Sequence, residues 1–202
     1  MNSLTHAPLP STKPMMTLQG ILRSAPQDLW LDTIRRTKGN VHRNLVHWML
    51  NQPECDLAVA LHAFYRSDPL DRLDNPRPLP AQPDANQIFG QILRNWDTGF
   101  YRKHNLRVDL GPAETRLIRR MNQKILAWPR GALPFQIPAE FLAPTGGKPV
   151  QLPPHLSPDQ APNLRPLYQS LDLEVTAKKS SVVLAHLAKA KVLFHSTKPQ
   201  GQ

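Results

Sequence analysis

The stretch WMLNQPECDLAVALHAFY, residues 48–65, decides the fold. Pro53 has no N–H to donate, so a helix arriving through Trp48 stops before it. Three residues later Asp56 offers a short carboxylate of the kind that caps a helix by accepting a bond from an unpaired backbone N–H. Leu57, Ala58, Val59, Ala60, Leu61, Ala63 and Phe64 then leave the following helix almost no polar side. A helix that is apolar all round is buried, so residues 57–65 are predicted to be the central element of the domain. Cys55, between breaker and cap, is small enough to be buried, and the corner reads as a structural device. Its chemical alternative is a Cys55 thiolate at a helix N-terminus, activated by His47 or His62. No third orienting group and no glycine-rich oxyanion loop accompany that pair.

On either side, apolar residues recur at helical spacing. Upstream, Leu18, Ile21 and Leu22 predict a short helix from about Met15 to Arg23. A second is capped by Ser24, carries Pro26 in its first turn, turns Leu29, Trp30 and Ile34 inward and ends at Gly39. A third, from about Asn40 to Asn51, gathers Val41, Leu45, Trp48 and Met49. Downstream, Pro69, Pro76, Pro78, Pro80 and Pro83 predict a surface loop over 67–83. Asp84 then opens a helix with Ile88, Phe89, Ile92, Leu93 and Trp96 in one arc. Gly99 suits the left-handed position that closes a helix, with Phe100 folding back over the last turn. Gly111 and Pro112 start the last core helix, which runs to about Ala127.

These elements predict an all-α protein: a compact bundle of about five helices over residues 15–127, after a flexible tail at 1–14. Trp48, Leu61, Phe64, Phe89, Ile92 and Trp96 are expected to be buried together. Residues 128–166 hold ten prolines, a density that no long helix or central strand survives. Residues 128–170 are therefore read as an extended proline-rich connector, with 135–142 docking locally. Residues 171–202 are read as a C-terminal basic amphipathic segment, a helix with Val183, Leu187, Ala190 and Phe194 on one stripe. The alternation of Leu171, Leu173 and Val175 also allows a short strand there.

One pattern extends beyond generic helices. Trp48, Pro53, Glu54, Cys55, Asp56, Ala60, Leu61, Phe64 and Tyr65 are followed some thirty residues later by Ile92, Leu93, Trp96 and the run Gly99, Phe100, Tyr101. Over about residues 28–105 this resembles the bacterial family known as domain of unknown function 4274. The resemblance implies a compact helical domain with a Pro-x-Cys-Asp corner and a later helix ending in Gly-Phe-Tyr. It also implies a bacterial cytoplasmic origin, and it brings no assigned activity. On this reading Trp48, Pro53, Cys55, Asp56, Gly99 and Phe100 are structural.

Composition narrows the function. The net charge of +10 favours acidic partners, whether nucleic acid, anionic lipid or an acidic protein. The single cysteine excludes an internal disulfide and a cysteine-cluster metal site, which fits a reducing compartment. No apolar run reaches the roughly 20 residues of a membrane span. Pro8, Pro10 and Pro14 spoil a transit-peptide helix, so a cytoplasmic location is expected. His42 and His47 lack the three- or four-residue spacing that puts two imidazoles on one helix face. No phosphate-binding glycine loop or serine elbow is present, so no metal, cofactor or catalytic residue is assigned.

The strongest surface feature is the last core helix. Arg116, Arg119, Arg120, Gln123 and Lys124 lie in one broad arc, opposite Leu117, Ile118, Met121 and Ile125. Such an arc is either an ordinary solvated face or a contact for acidic protein or nucleic acid. Lys178, Lys179, Lys189 and Lys191 make a second basic group, without interleaved aromatics. The functional expectation is a protein-interaction module, an adaptor or neutralising partner, that binds another, acidic protein through Arg116, Arg119, Arg120 and Lys124. Nucleic-acid binding is the alternative, short of a helix-turn-helix with a polar recognition helix. An enzyme is not expected, because no convergent acid, base and nucleophile can be named.

Overall fold

The computed structural model describes residues 12–79, 81–82 and 86–175. Among these residues the chain is all-α, with nine helices and no strand. They are α1 (Thr12–Ser24), α2 (Gln27–Arg36), α3 (Arg43–Leu50), α4 (Leu57–Tyr65), α5 (Pro69–Asp74), α6 (Ile88–Asp97), α7 (Pro112–Ala127), α8 (Ala139–Leu142) and α9 (Leu164–Ser170). The apolar segment α4 lies at the centre, packed by α2, α3 and α6, and each of its residues except His62 is buried. Each fully buried leucine, valine or phenylalanine there contributes roughly 1.5–3 kcal/mol.

Side-chain chemistry explains the joints. The Trp30 indole N–H donates to the Leu22 carbonyl at 2.7 Å, which satisfies a C-terminal carbonyl of α1 and fixes α2 against it. The Asp56 carboxylate caps α4 through the Ala58 N–H at 2.9 Å. At the end of α6, Gly99 has φ 94°, the Phe100 N–H bonds the Asn95 carbonyl and the Gly99 N–H bonds the Trp96 carbonyl. This pair of bonds is a Schellman closure.

The core and its margin differ from the sequence reading in several places; α2 starts behind Pro26 with no side-chain cap, because Ser24 ends α1 and its hydroxyl donates to the Ile21 carbonyl. Leu61, Phe64, Phe89 and Ile92 are buried, but Trp48 and Trp96 are only half-buried at its margin. Trp48 stacks on Trp30 with ring centroids 5.5 Å apart, and Arg102 lies 4.1 Å above the Trp96 ring. Both rings thus keep a solvent edge, as large amphipathic aromatics commonly do. Val41, expected inside, is 49% exposed because residues 39–42 form a tight 3₁₀ turn, and its pitch takes Val41 off the inner face of α3. Within the expected 67–83 loop, Pro69 occupies the first turn of α5, where a missing N–H costs nothing, and Leu73 is buried. Thr12, Lys13 and Pro14 belong to α1 rather than to a tail.

The proline-rich segment carries no long helix, as its proline density requires, yet it is no spacer. Phe135, Phe141, Ala161, Leu164, Tyr168, Leu171 and Leu173 are buried in the same core as α4. Phe141 packs edge-on to Phe64 at 5.1 Å and to Trp96 at 5.2 Å, and Phe135 meets Phe89 at 5.2 Å. Polar bonds fasten the same stretch. Thr33 and Tyr168 share a hydroxyl bond of 2.6 Å, and Tyr65 donates to the Phe141 carbonyl at 3.0 Å. Arg36 bridges Asp32 at 2.7 Å and Asp159 at 2.8 Å, and donates to the Glu174 carbonyl at 2.6 Å. Prolines remove backbone donors but leave aromatic side chains free to insert and carbonyls free to accept, so the segment docks through its side chains and through backbone bonds such as Arg107 N–H to the Lys148 carbonyl at 2.7 Å. Residues 171–175 form no strand. The expected C-terminal amphipathic segment, with Val183, Leu187, Ala190, Phe194 and the four lysines 178, 179, 189 and 191, lies outside the described residues. No helix among the described residues is long and apolar enough to cross a membrane.

Candidate functional site

Helix α7 starts behind Gly111 with Pro112 at its first position, a favourable start because φ is preset and no donor is lost. Ile118 and Met121 are buried, Leu117 and Ile125 pack half-buried against the core, and α7 rests on α5 and α8. The opposite face carries Arg116, Arg119 and Arg120, all exposed. None of these three makes an ion pair or a side-chain hydrogen bond with any described residue.

Lys124 stands apart from the other three. Its ammonium is half-covered and ion-paired with Asp74 of α5. It follows Met121 by three residues, so it sits on the inner edge of the arc, where α5 supplies an acid. Its charge is therefore used within the fold to fasten α5 to α7.

Leu126 escaped the sequence reading and is 85% exposed, the most exposed of the large apolar side chains among the described residues. It stands seven residues after Arg119, on the same line of helix surface. It also borders an open cleft of about 470 Å³, whose lining includes Ile125, Trp128, Leu133, Phe135 and Ile137. Arg130 is the cation in that lining. The signal in the sequence was slight: in the run Ile125, Leu126, Ala127, Trp128, Leu126 is the residue that falls off the core arc. That Leu133, Phe135 and Ile137 return beneath it could not be read locally.

The Pro53–Asp56 corner is built for connection. Asp56 is fully buried; its Oδ1 accepts from Ala58 N at 2.9 Å and its Oδ2 from Asn105 N at 2.8 Å. Its own N–H donates to Gln27 Oε1 at 2.9 Å, and Leu57 N donates to the Lys103 carbonyl at 2.8 Å. Through its carboxylate and its own N–H, Asp56 thus ties α2, α4 and the segment 103–106 together. Burial pushes the Asp56 carboxyl above its usual range, opposed by the N–H groups of Ala58, Asn105 and Leu106. Cys55 is wholly buried, and its thiol is pushed well above its ordinary value by burial and by the nearby Asp56 and Glu54 charges. This environment opposes the thiolate on which a nucleophile depends. Tyr101, at φ 60°, donates to the Leu50 carbonyl at 2.7 Å and accepts from Asn95 at 3.0 Å, which anchors the Gly-Phe-Tyr turn onto α3.

The histidines occupy separate structural positions. His42 accepts from Lys38 N at 2.8 Å through Nδ1, and its Nε2 meets the Leu171 carbonyl at 2.7 Å, so both ring nitrogens are engaged within the fold. His47 meets Gln91 Oε1 at 2.8 Å and Asn51 at 3.1 Å, so both its nitrogens are engaged. His62 is pushed down to about 4, first by burial and then by the charges of Arg66 and Arg35. No family model, no curated protein and no solved structure matches the chain.

Proposed function

We propose that the protein is an interaction module that docks an acidic protein partner on the outer face of α7, in an adaptor or neutralising role. One observation carries the reading. Arg116, Arg119 and Arg120 are exposed with no acid among the described residues to neutralise them, and they lead directly to exposed Leu126 and its apolar cleft. Cations on a rim beside a bare apolar anchor match the usual division of a protein interface, in which charge steers approach and apolar burial supplies affinity. Arginine presents a planar fork that pairs bidentately with carboxylates. The leucine and cleft favour a protein over nucleic acid, whose backbone offers phosphates and no apolar plug. A cytoplasmic setting goes with this reading, since the one cysteine is buried and unpaired.

The test is affinity capture from the native cell with the wild-type chain, R116Q/R119Q/R120Q and L126S, followed by mass spectrometry and by binding measurements on the purified partner. The expected partner is acidic. Each variant should weaken its binding, with the arginine effect fading as salt rises, because exposed charges are screened over about 10 Å at 0.1 M. The leucine effect should persist at high salt. Capture of nucleic acid instead, with affinity falling steeply with salt through counterion release, would replace this reading with the nucleic-acid one. Full partner binding by both variants would return α7 to an ordinary solvated face.

A further inference from the structure

A second surface, away from α7, carries chemistry of its own. Between α2 and α3 on one side and the α4–α5 turn and α6 on the other lies a cleft of about 290 Å³. Arg43, Arg66 and Arg72 line it, with Asp68 as the one acid among the described residues of its lining, over apolar walls that include Ile34 and Phe89. None of the three arginines makes an ion pair among the described residues, and neither does Asp68. Two of the guanidinium groups are held by neutral acceptors. Arg66 donates to the Ile34 carbonyl at 3.1 Å and to the Thr37 carbonyl at 2.6 Å, and Arg43 donates to the Asn86 side-chain carbonyl. These bonds orient the cations and leave their charge uncompensated.

We propose that this cleft binds a small phosphate monoester bearing hydroxyl groups. Among the described residues of the lining, three positive charges stand against one negative, and on low-dielectric walls they focus a potential that draws an anion in. Guanidinium forks pair bidentately with phosphate oxygens. The volume is near the lower end for ligand pockets, which start at about 300 Å³, so it exceeds what inorganic phosphate fills and excludes a dinucleotide. Asp68 gives the cleft its selectivity: a carboxylate among arginines accepts hydrogen bonds from a ligand hydroxyl and disfavours a bare phosphate ion. Its backbone is left-handed, with φ 56°. A non-glycine residue held there costs on the order of 1 kcal/mol, and such strain is retained where position matters more than stability. The binding needs no contribution from α7 and stands whether or not the docking proposal does.

The full chain is titrated by calorimetry with ribose 5-phosphate, inorganic phosphate and ribose. Ribose 5-phosphate should bind, inorganic phosphate should bind more weakly, and ribose should not bind. R43Q/R72Q, with its fold checked by circular dichroism, should bind ribose 5-phosphate at least about tenfold more weakly, the effect of losing one to two charge-assisted bonds. R43K/R72K should lie between the two, because lysine keeps the charge and loses the fork. R116Q/R119Q/R120Q should bind as the wild type does. If R43Q/R72Q does not fold, R72Q alone gives the answer, since the Arg72 side chain bonds no described residue. No binding of ribose 5-phosphate up to about 10 mM, or unchanged affinity in the folded Arg43 and Arg72 variants, overturns the assignment.

Discussion

Helices α2 and α7 both carry arginines, and the fold treats them in opposite ways. On α2, Arg36 is nearly buried between Asp32 and Asp159, and Arg35 reaches Asp109 at 3.4 Å. Burial alone would lower the Arg36 pKa, but its bonds to Asp159 and Asp32 outweigh that and raise it above the usual arginine value. On α7, Arg116, Arg119 and Arg120 meet no acid among the described residues. The difference comes from what lies opposite each helix. The proline-rich segment and the residues after it return over α2 with Asp159 and the Glu174 carbonyl, whereas α7 has α5 and α8 beneath it and meets no acid among the described residues on its outer arc. Arginine content alone therefore does not single out a candidate surface; arginines left without an acid do.

That contrast can be broken most severely at α2. Arg36→Met strips Asp32 and Asp159 of their shared cation and frees the Glu174 carbonyl, so chemical denaturation should show a loss of about 3 kcal/mol. A loss near zero would mean that the proline-rich segment is not fastened by Arg36. Asp56→Ala comes next. A buried carboxylate that serves several N–H groups at once is worth more than a simple cap, and the expected cost is about 2–3 kcal/mol against about 1 kcal/mol for an ordinary N-cap. A measured cost of a simple cap's size would show that water takes over the Asn105 N–H.

The pH dependence probes the same neighbourhood. His62 lies within reach of the Arg35 and Arg66 charges, and its folded pKa is about 4 against an ordinary 6.5. The folded state holds the ring neutral while the unfolded chain protonates it. Its contribution to stability is thus complete above pH 6.5 and lost as pH falls from 6.5 towards 4, by up to about 3 kcal/mol. His62→Gln should flatten this part of the profile, and Arg35→Gln should shrink it modestly by removing one repelling charge. A profile identical in wild type and His62→Gln would remove His62 as its origin. The smallest effect belongs to α7: R116Q/R119Q/R120Q should change stability by no more than about 0.5 kcal/mol per site, as solvated positions do. A large loss would mean that these arginines serve the fold after all.

Local chemistry in the sequence was enough for the central helix and its joints. Pro53 breaks a helix wherever it stands, Asp56 caps whatever follows, and a left-handed glycine at position 99 closes α6 whatever its surroundings. The apolar spacing of α2, α6 and α7 likewise announces which side faces in, because side-chain direction follows from helical period alone. Even the position of Arg116, Arg119 and Arg120 on the outer arc was legible. What local spacing could not carry was anything that depends on a residue far along the chain. Phe141 beneath Phe64, Tyr168 on Thr33 and Asp159 on Arg36 join positions some 77 to 135 residues apart, and proline density hid them by removing the periodicity from which burial is read. The same long-range closure took Lys124 into a pair with Asp74, left Leu126 bare beside its cleft, and brought Arg43, Arg66 and Arg72 around one cleft. Whether a charge is spent within the fold or left for a partner is decided by what packs against it, and that is a property of the tertiary structure.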